Sequence, residues 1–173
     1  GFVLRDGSRL RYRTRTKGGG RGFSSDLLVL DEAMILPEAA HGALLPTLSA
    51  RPNPQVWYTG SAVDQLVQED GVVFARLRER GLRGEDERLA YFEWSADYAN
   101  PADVPEEAFG DAALWAEANP ALGIRIDAEH IAAERESMAP RTFAVERLGV
   151  GDWPATDGGH FVIDKDLWSQ LAD

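Results

Sequence analysis

Two adjacent carboxylates, Asp31 and Glu32, follow directly on the apolar run Leu27-Leu28-Val29-Leu30. A short continuous apolar run reads as a buried strand of the kind found in parallel sheets covered on both faces. Acids at the carboxyl end of such a strand stand where open α/β sheets place their ligands. In nucleoside-triphosphate hydrolases of that layout the first acid, here Asp31, helps to hold Mg2+, and the second, Glu32, polarises the attacking water. The pattern is the Walker B box and points toward ATP hydrolysis. The same letters also arise wherever a buried strand meets its first polar turn, so the box alone leaves a plain strand end equally open.

Two further groups bear on that chemistry. Thr59-Gly60-Ser61 closes the next strand, where a hydroxyl can sense a γ-phosphate; it reads equally as a turn carrying a helix N-cap. Arg21 lies in a glycine-rich loop ahead of the Asp31-Glu32 strand. A guanidinium there can reach a triphosphate, and arginine fingers accelerate phosphoryl transfer by roughly 10³ to 10⁵; a solvated loop charge is the plain alternative. The loop itself, Lys17-Gly18-Gly19-Gly20-Arg21-Gly22, has neither the Gly-x-x-x-x-Gly-Lys-Ser/Thr order of a phosphate cradle nor Gly-x-Gly-x-x-Gly. His41, His130 and His160 lack metal-ligand spacing and read as structural or surface residues, and the five tryptophans as core or interface.

The elements that must position these residues follow from pattern. Phe2 to Arg5 and Arg9 to Thr14, joined at Asp6-Gly7-Ser8, read as a β-hairpin, since Asp-Gly is a strong turn signal. Pro37 opens a helix to about Ala50. Gln55 to Gly60 is the next strand, and a helix from about Ala62 to Arg80 follows, with Gly71 its weak point. Arg88 to Trp94 alternates as a further strand. Strands alternating with helices imply a parallel sheet of the α/β type. From about Asp97 the chain becomes loop-rich and helical: a short helix near 112–118, one capped by Asp127 that carries Ile131 and Met138, and one opened by Pro140. Residues 149–159 read as a linker and 164–171 as a last short helix.

At 173 residues the chain is of one-domain size and long enough to bury a core. No stretch approaches the roughly 18 apolar residues of a membrane span, so no membrane partner is expected. Cysteine is absent, which removes disulfides and thiolate metal sites. The net charge of −11 argues against a DNA-coating surface, yet Arg5, Arg9, Arg11, Arg13, Arg15, Lys17 and Arg21 face only Asp6 in the first 22 residues. A basic segment on an acidic body suits an anionic partner at one place, whether phosphate or a neighbouring acidic subunit. Gly1-Phe2-Val3-Leu4 already reads as mid-strand, and the chain is expected to be an interior piece of something longer.

Arg21-Gly22-Phe23-Ser24-Ser25-Asp26-Leu27-Leu28-Val29-Leu30-Asp31-Glu32-Ala33 closely resembles the Walker B region of tailed-phage large terminase subunits, where an Arg-Gly pair precedes a hydrophobic strand ending in Asp-Glu-Ala. Trp115 with Ala118-Asn119-Pro120-Ala121-Leu122-Gly123, and Phe143 with Glu146-Arg147-Leu148-Gly149, are similar to that family's region between ATPase and nuclease domains. Phe161-Val162-Ile163-Asp164 with Trp168 resembles the segment running into the nuclease. The resemblance implies a fold: part of a RecA-like P-loop NTPase sheet of the ASCE type with flanking helices, followed by a mainly helical linker region. It divides the chain into 1–98 (later part of the ATPase domain), 99–150 (helical linker subdomain) and 151–173 (connector toward a nuclease).

The resemblance also implies a function, ATP-driven translocation of double-stranded DNA into a procapsid. The motor would be a homo-oligomeric ring working with the portal protein and the small terminase subunit, in the host cytoplasm and transiently at the portal vertex. ATP and Mg2+ would be the ligands, with Asp31 on the metal and Glu32 the catalytic carboxylate. Arg21 would be a finger acting on the neighbouring subunit, and Thr59, Gly60 and Ser61 the motif coupling hydrolysis to movement. The Walker A pattern and the nuclease carboxylates do not occur in this sequence, so the chain by itself is expected to lack activity, and to fold poorly with sheet edges exposed. A superfamily-2 helicase fragment, whose motifs also read Asp-Glu-Ala and resemble Thr-Gly-Ser, and a non-catalytic prophage remnant are the rival readings.

Overall fold

The computed structural model describes residues 1–14 and 24–156. Arg21, the expected helix at 164–171, His160 and the Phe161–Asp164 and Trp168 segment lie outside the described residues. The first element is the expected hairpin, β1 (Phe2–Val3) and β2 (Arg9–Leu10), antiparallel and turning at Gly7. The turn is closed by Leu4 N donating to Ser8 O and by Ser8 N donating to Asp6 Oδ1.

The second sheet carries the Asp31-Glu32 pair. Strands β3 (Leu27–Leu30) and β4 (Gln55–Tyr58) run parallel, with Leu27 opposite Gln55 and Leu30 opposite Tyr58. Between them lie a 3₁₀ turn at Ala33–Ile35, helix α1 (Glu38–Leu44) and a second 3₁₀ turn at Leu45–Leu48. The helix expected to run from Pro37 to Ala50 is therefore shorter, because Pro46 cannot continue an α-helical ladder. Because side chains alternate along a strand, Leu28, Leu30, Val56 and Tyr58 share one face, and they pack with Leu36, Ala40, Leu44 and Val73. The opposite face is not covered among the described residues: Leu27, Val29 and Trp57 are 50%, 53% and 57% exposed. The expectation of a strand buried on both faces fails here, and only Leu30 of the apolar run is buried.

Helix α2 (Val72–Arg83) begins ten residues later than its pattern predicts. Residues 61–70 instead form turns around Asp64, with Val67 N and Gln68 N donating to its carbonyl. Gly71 is the N-cap rather than a flaw within a helix, and it is needed there: a Cβ would lie 2.5 Å from Val63 Cγ1. Residues 88–94, expected as a strand, form none: Arg88 lies in a turn and 89–94 pair with no strand among the described residues. They are held by side chains instead. Arg78 of α2 grips the Glu93 carboxylate at 3.0–3.1 Å, and its guanidinium lies 4.8 Å from the Trp153 ring.

The helical region comprises α3 (Ala112–Ala118), α4 (Ala128–Ser137) and α5 (Pro140–Leu148), preceded by 3₁₀ turns at Pro101–Asp103 and Glu106–Gly110. Asp111 caps α3 by accepting from Ala113 N, whereas Asp127 sits at the N-cap of α4 without a side-chain cap bond. Phe143, Ile131, Leu148 and Val150 are all but inaccessible and pack with Phe109 and Trp115. Buried Asn119 donates from Nδ2 to the carbonyls of Trp115 and Arg147, so the α3 end is pinned to α5. Gly149 ends α5 at φ 66°, and a Cβ there would meet Trp94 O at 2.6 Å; Ala96 N donates to Leu148 O in the same place. Residues 149–154, expected as linker, pack back: Val150, Gly151 and Pro154 are buried. No helix among the described residues is long and apolar enough to cross a membrane.

Candidate functional site

The backbone bonding of β3 and β4 continues past both strands. Thr59 N donates to Leu30 O at 3.1 Å, and Ala33 N donates to Thr59 O at 2.8 Å. This brackets Asp31 and Glu32 against Thr59, and the Thr59 hydroxyl donates to Asp31 Oδ1 at 2.8 Å. All three residues are exposed. The sequence separates the two sides by 28 positions; the parallel register brings them together.

Glu32 has φ 51° and ψ 53°, the sole non-glycine residue with positive φ among the described residues. Left-handed backbone of this kind costs a residue with a Cβ on the order of 1–3 kcal/mol and persists where the surroundings hold it. Those surroundings are the Ala33–Thr59 bond on one side and, on the other, buried Ala33 of the 3₁₀ turn and buried Leu36 just after it. Gly60 completes the site by absence of bulk. A Cβ there would stand 3.1 Å from Ala33 N and from Met34 Sδ, and 3.4 Å from Phe74 Cε1.

The three predicted coupling residues part company. Thr59 joins Asp31, Gly60 allows the close approach, and Ser61 turns away, its hydroxyl donating to Glu146 Oε2 of α5 at 3.1 Å. The Nε2 of His41 lies 2.9 Å from the Tyr58 hydroxyl, and half-burial holds the imidazole below its ordinary pKa. His130 sits 3.4 Å from Glu134. Of the tryptophans, Trp115 is core, while Trp57 and Trp94 are exposed.

No group of three or more metal-ligating side chains occurs among the described residues. Mg2+ takes one or two carboxylates together with waters and substrate phosphates, and the exposed Asp31 carboxylate is a ligand of that kind. The Thr59 bond orients the Asp31 carboxylate.

The pattern of Arg141, Asp64 and Asp152 was not legible as a site. Arg141 Nη2 donates at 2.7 Å both to Asp64 Oδ1 and to Asp152 Oδ2, and Nε adds a 3.0 Å bond to Asp64. Arg141 beside it holds the Asp64 carboxyl below its ordinary pKa. One signal was available: an arginine in the first turn of α5 opposes the helix dipole, so its charge has to be used elsewhere.

The chain matches the crystal structure of the HK97 bacteriophage large terminase with a TM-score of 0.58, across 76% of this chain and 27% of that one. The fold is that of a large-terminase segment. Sequence identity is 20%, so the likeness is one of fold. The chain spans about a quarter of the length of the terminase it matches, at the 27% just given. No protein-family model matches the sequence, and no curated protein matches it. The large-terminase fold accounts for a small parallel sheet followed by helices in one chain.

Proposed function

We propose that this chain is part of the ATP-hydrolysing large terminase subunit of a tailed bacteriophage, a motor that drives double-stranded DNA into a procapsid. The observation that carries the reading is the exposed Asp31-Glu32 pair at a parallel strand end, with Thr59 of the adjacent strand donating to Asp31. The terminase-like fold around that pair supports it. Asp31 would hold Mg2+, which when bound offsets the charge on phosphate oxygens. Glu32, next in the chain and set apart by its left-handed backbone, would accept a proton from the attacking water and orient it. Thr59 fixes the Asp31 rotamer and would register any change in what Asp31 holds. Arg21 would act on the triphosphate site of a neighbouring subunit in a homo-oligomeric ring. The partners that follow are double-stranded DNA, the portal protein and the small terminase subunit, met in the host cytoplasm.

The test is Glu32→Gln in the intact protein. Loss of a positioned general base lowers the rate by about 10²–10⁴, and binding of ATP, followed with a fluorescent analogue, should persist. Turnover within a few-fold of wild type would refute the assignment.

A further inference from the structure

Arg141 of α5 lies outside the candidate site, yet it is bonded to the stretch of chain that leaves it. Four residues separate Thr59 from Asp64, and that stretch is fixed at every step. Gly60 touches the Ala33 backbone, Ser61 is bonded to Glu146, and Ala62 and Val63 are buried. Val63 O accepts from Asp152 N at 2.8 Å, making an isolated parallel bridge between residues 64 and 152. Asp64 is itself buried, and Arg141 spans it and Asp152. Gln65 Nε2 and Asn100 Nδ2 donate to the second oxygen of Asp152, at 2.9 and 3.3 Å. Two carboxylates brought this close repel unless a cation lies between them, and a planar guanidinium serves both at once where an ammonium serves as a point charge.

We propose that Arg141 is a positioning residue of the Asp31–Thr59 site: by binding Asp64 and Asp152 together it fixes residues 59–64, so that a shift of the helical region is transmitted to Thr59 and from there to the Asp31 carboxylate. The path is contiguous. It runs from α5 through Arg141 to Asp64, back along buried Val63 and Ala62 to Ser61, and ends at Thr59; the Ser61–Glu146 bond is a second tie from the same helix. Ion pairs elsewhere among the described residues serve other places. Arg147 with Glu134 joins α5 to α4 within the helical core, and Arg83 with Glu79 lies along α2. Its effect on turnover rests on the ATPase reading above; its effect on the backbone does not.

The experiment is hydrogen exchange by mass spectrometry on the intact protein, with ATP turnover measured on the same samples. In Arg141→Ala, amides of residues 59–68 should exchange roughly tenfold faster or more, while those of α4 keep their wild-type rate, as expected for local rather than global opening. The value of kcat should fall severalfold with KM for ATP unchanged, and Arg141→Lys should recover part of both. Asp152→Asn, which keeps the Arg141–Asp64 bond, should give the same pattern in weaker form. That variant decides the matter if Arg141→Ala fails to fold. Unchanged exchange over 59–68, or equal acceleration over 59–68 and α4, would overturn the proposal. Local loosening with an unaltered kcat would also overturn it. If the wild-type protein turns over no ATP, the ATPase reading fails by itself, and the exchange pattern still decides whether Arg141 holds this stretch.

Discussion

The two halves of the molecule bury themselves to different degrees. The helical half closes around Phe143, Ile131, Leu148 and Val150, each at most 1% exposed, with Phe109 and Trp115 packed edge-on against the Phe143 ring. Among the described residues the sheet half closes on one side only and leaves Leu27, Val29 and Trp57 open on the other. Both halves contain similar apolar residues, so the difference lies in architecture. Helices of three turns or fewer can fold back on one another within a few dozen residues, whereas a parallel strand needs elements on both faces. The candidate site sits on the less complete half, at the strand ends, and the junction at Arg141 ties it to the more complete one.

The largest test of this contrast is Phe143→Ala. The side chain is 1% exposed and lies at the centre of the helical core. Its removal should cost about 3–5 kcal/mol, read as a lower urea midpoint. A loss under about 1 kcal/mol would mean that the helical half is loosely packed and the contrast is false, since values that small are typical of surface changes.

Acid should act next, and at the junction. Arg141 depresses the Asp64 pKa below 3.8, and Arg147 depresses that of Glu134 below 4.5. For a carboxyl whose folded pKa is lowered, the stabilisation is fully present above the unfolded value and is lost as pH falls through the folded one. Stability should therefore hold down to about pH 5 and decline below about pH 4. Asp64→Asn removes one such titration, so its urea midpoint should change less between about pH 5 and about pH 3 than that of the wild type. An identical acid limb in both proteins would show that Asp64 is not held by Arg141 in solution.

Local signals were legible where local physics decides. The Asp6-Gly7 turn, the Leu27–Leu30 and Gln55–Tyr58 strands, the short helix at 112–118 and the Pro140 start all appear in the structure. Errors fell where a distant partner outweighs pattern. Residues 62–70 have helical composition, yet Asp64 is drawn into the Arg141 and Asp152 cluster and the chain turns around it. Residues 88–94 alternate like a strand but form none, having no ladder partner among the described residues; Arg78 holds Glu93 instead. At the site, Asp31 and Thr59 at the ends of successive strands were legible; the bond between them comes from the parallel register. The left-handed backbone of Glu32 was not legible, since glutamate carries no sign of positive φ. The division of Thr59 from Ser61 was also hidden, because Glu146 lies 85 residues away.

The smallest expected effect sharpens the contrast from the open side. Val29→Thr keeps the β-branched shape on the strand and exchanges a methyl for a hydroxyl, at a position 53% exposed. On a face left open among the described residues, the substitution should move stability by no more than about 0.5 kcal/mol, as surface changes do. Leu28→Thr, one residue earlier and packed on the other face with Val56 and Leu36, should cost clearly more. The pair of variants thus measures sidedness within a single strand, free of differences in backbone propensity between elements. Equal losses at Val29 and Leu28 would mean that something covers the Leu27, Val29 and Trp57 face in solution; repeating the measurement at a tenfold lower protein concentration would then tell a second copy from the chain itself, because only association depends on concentration.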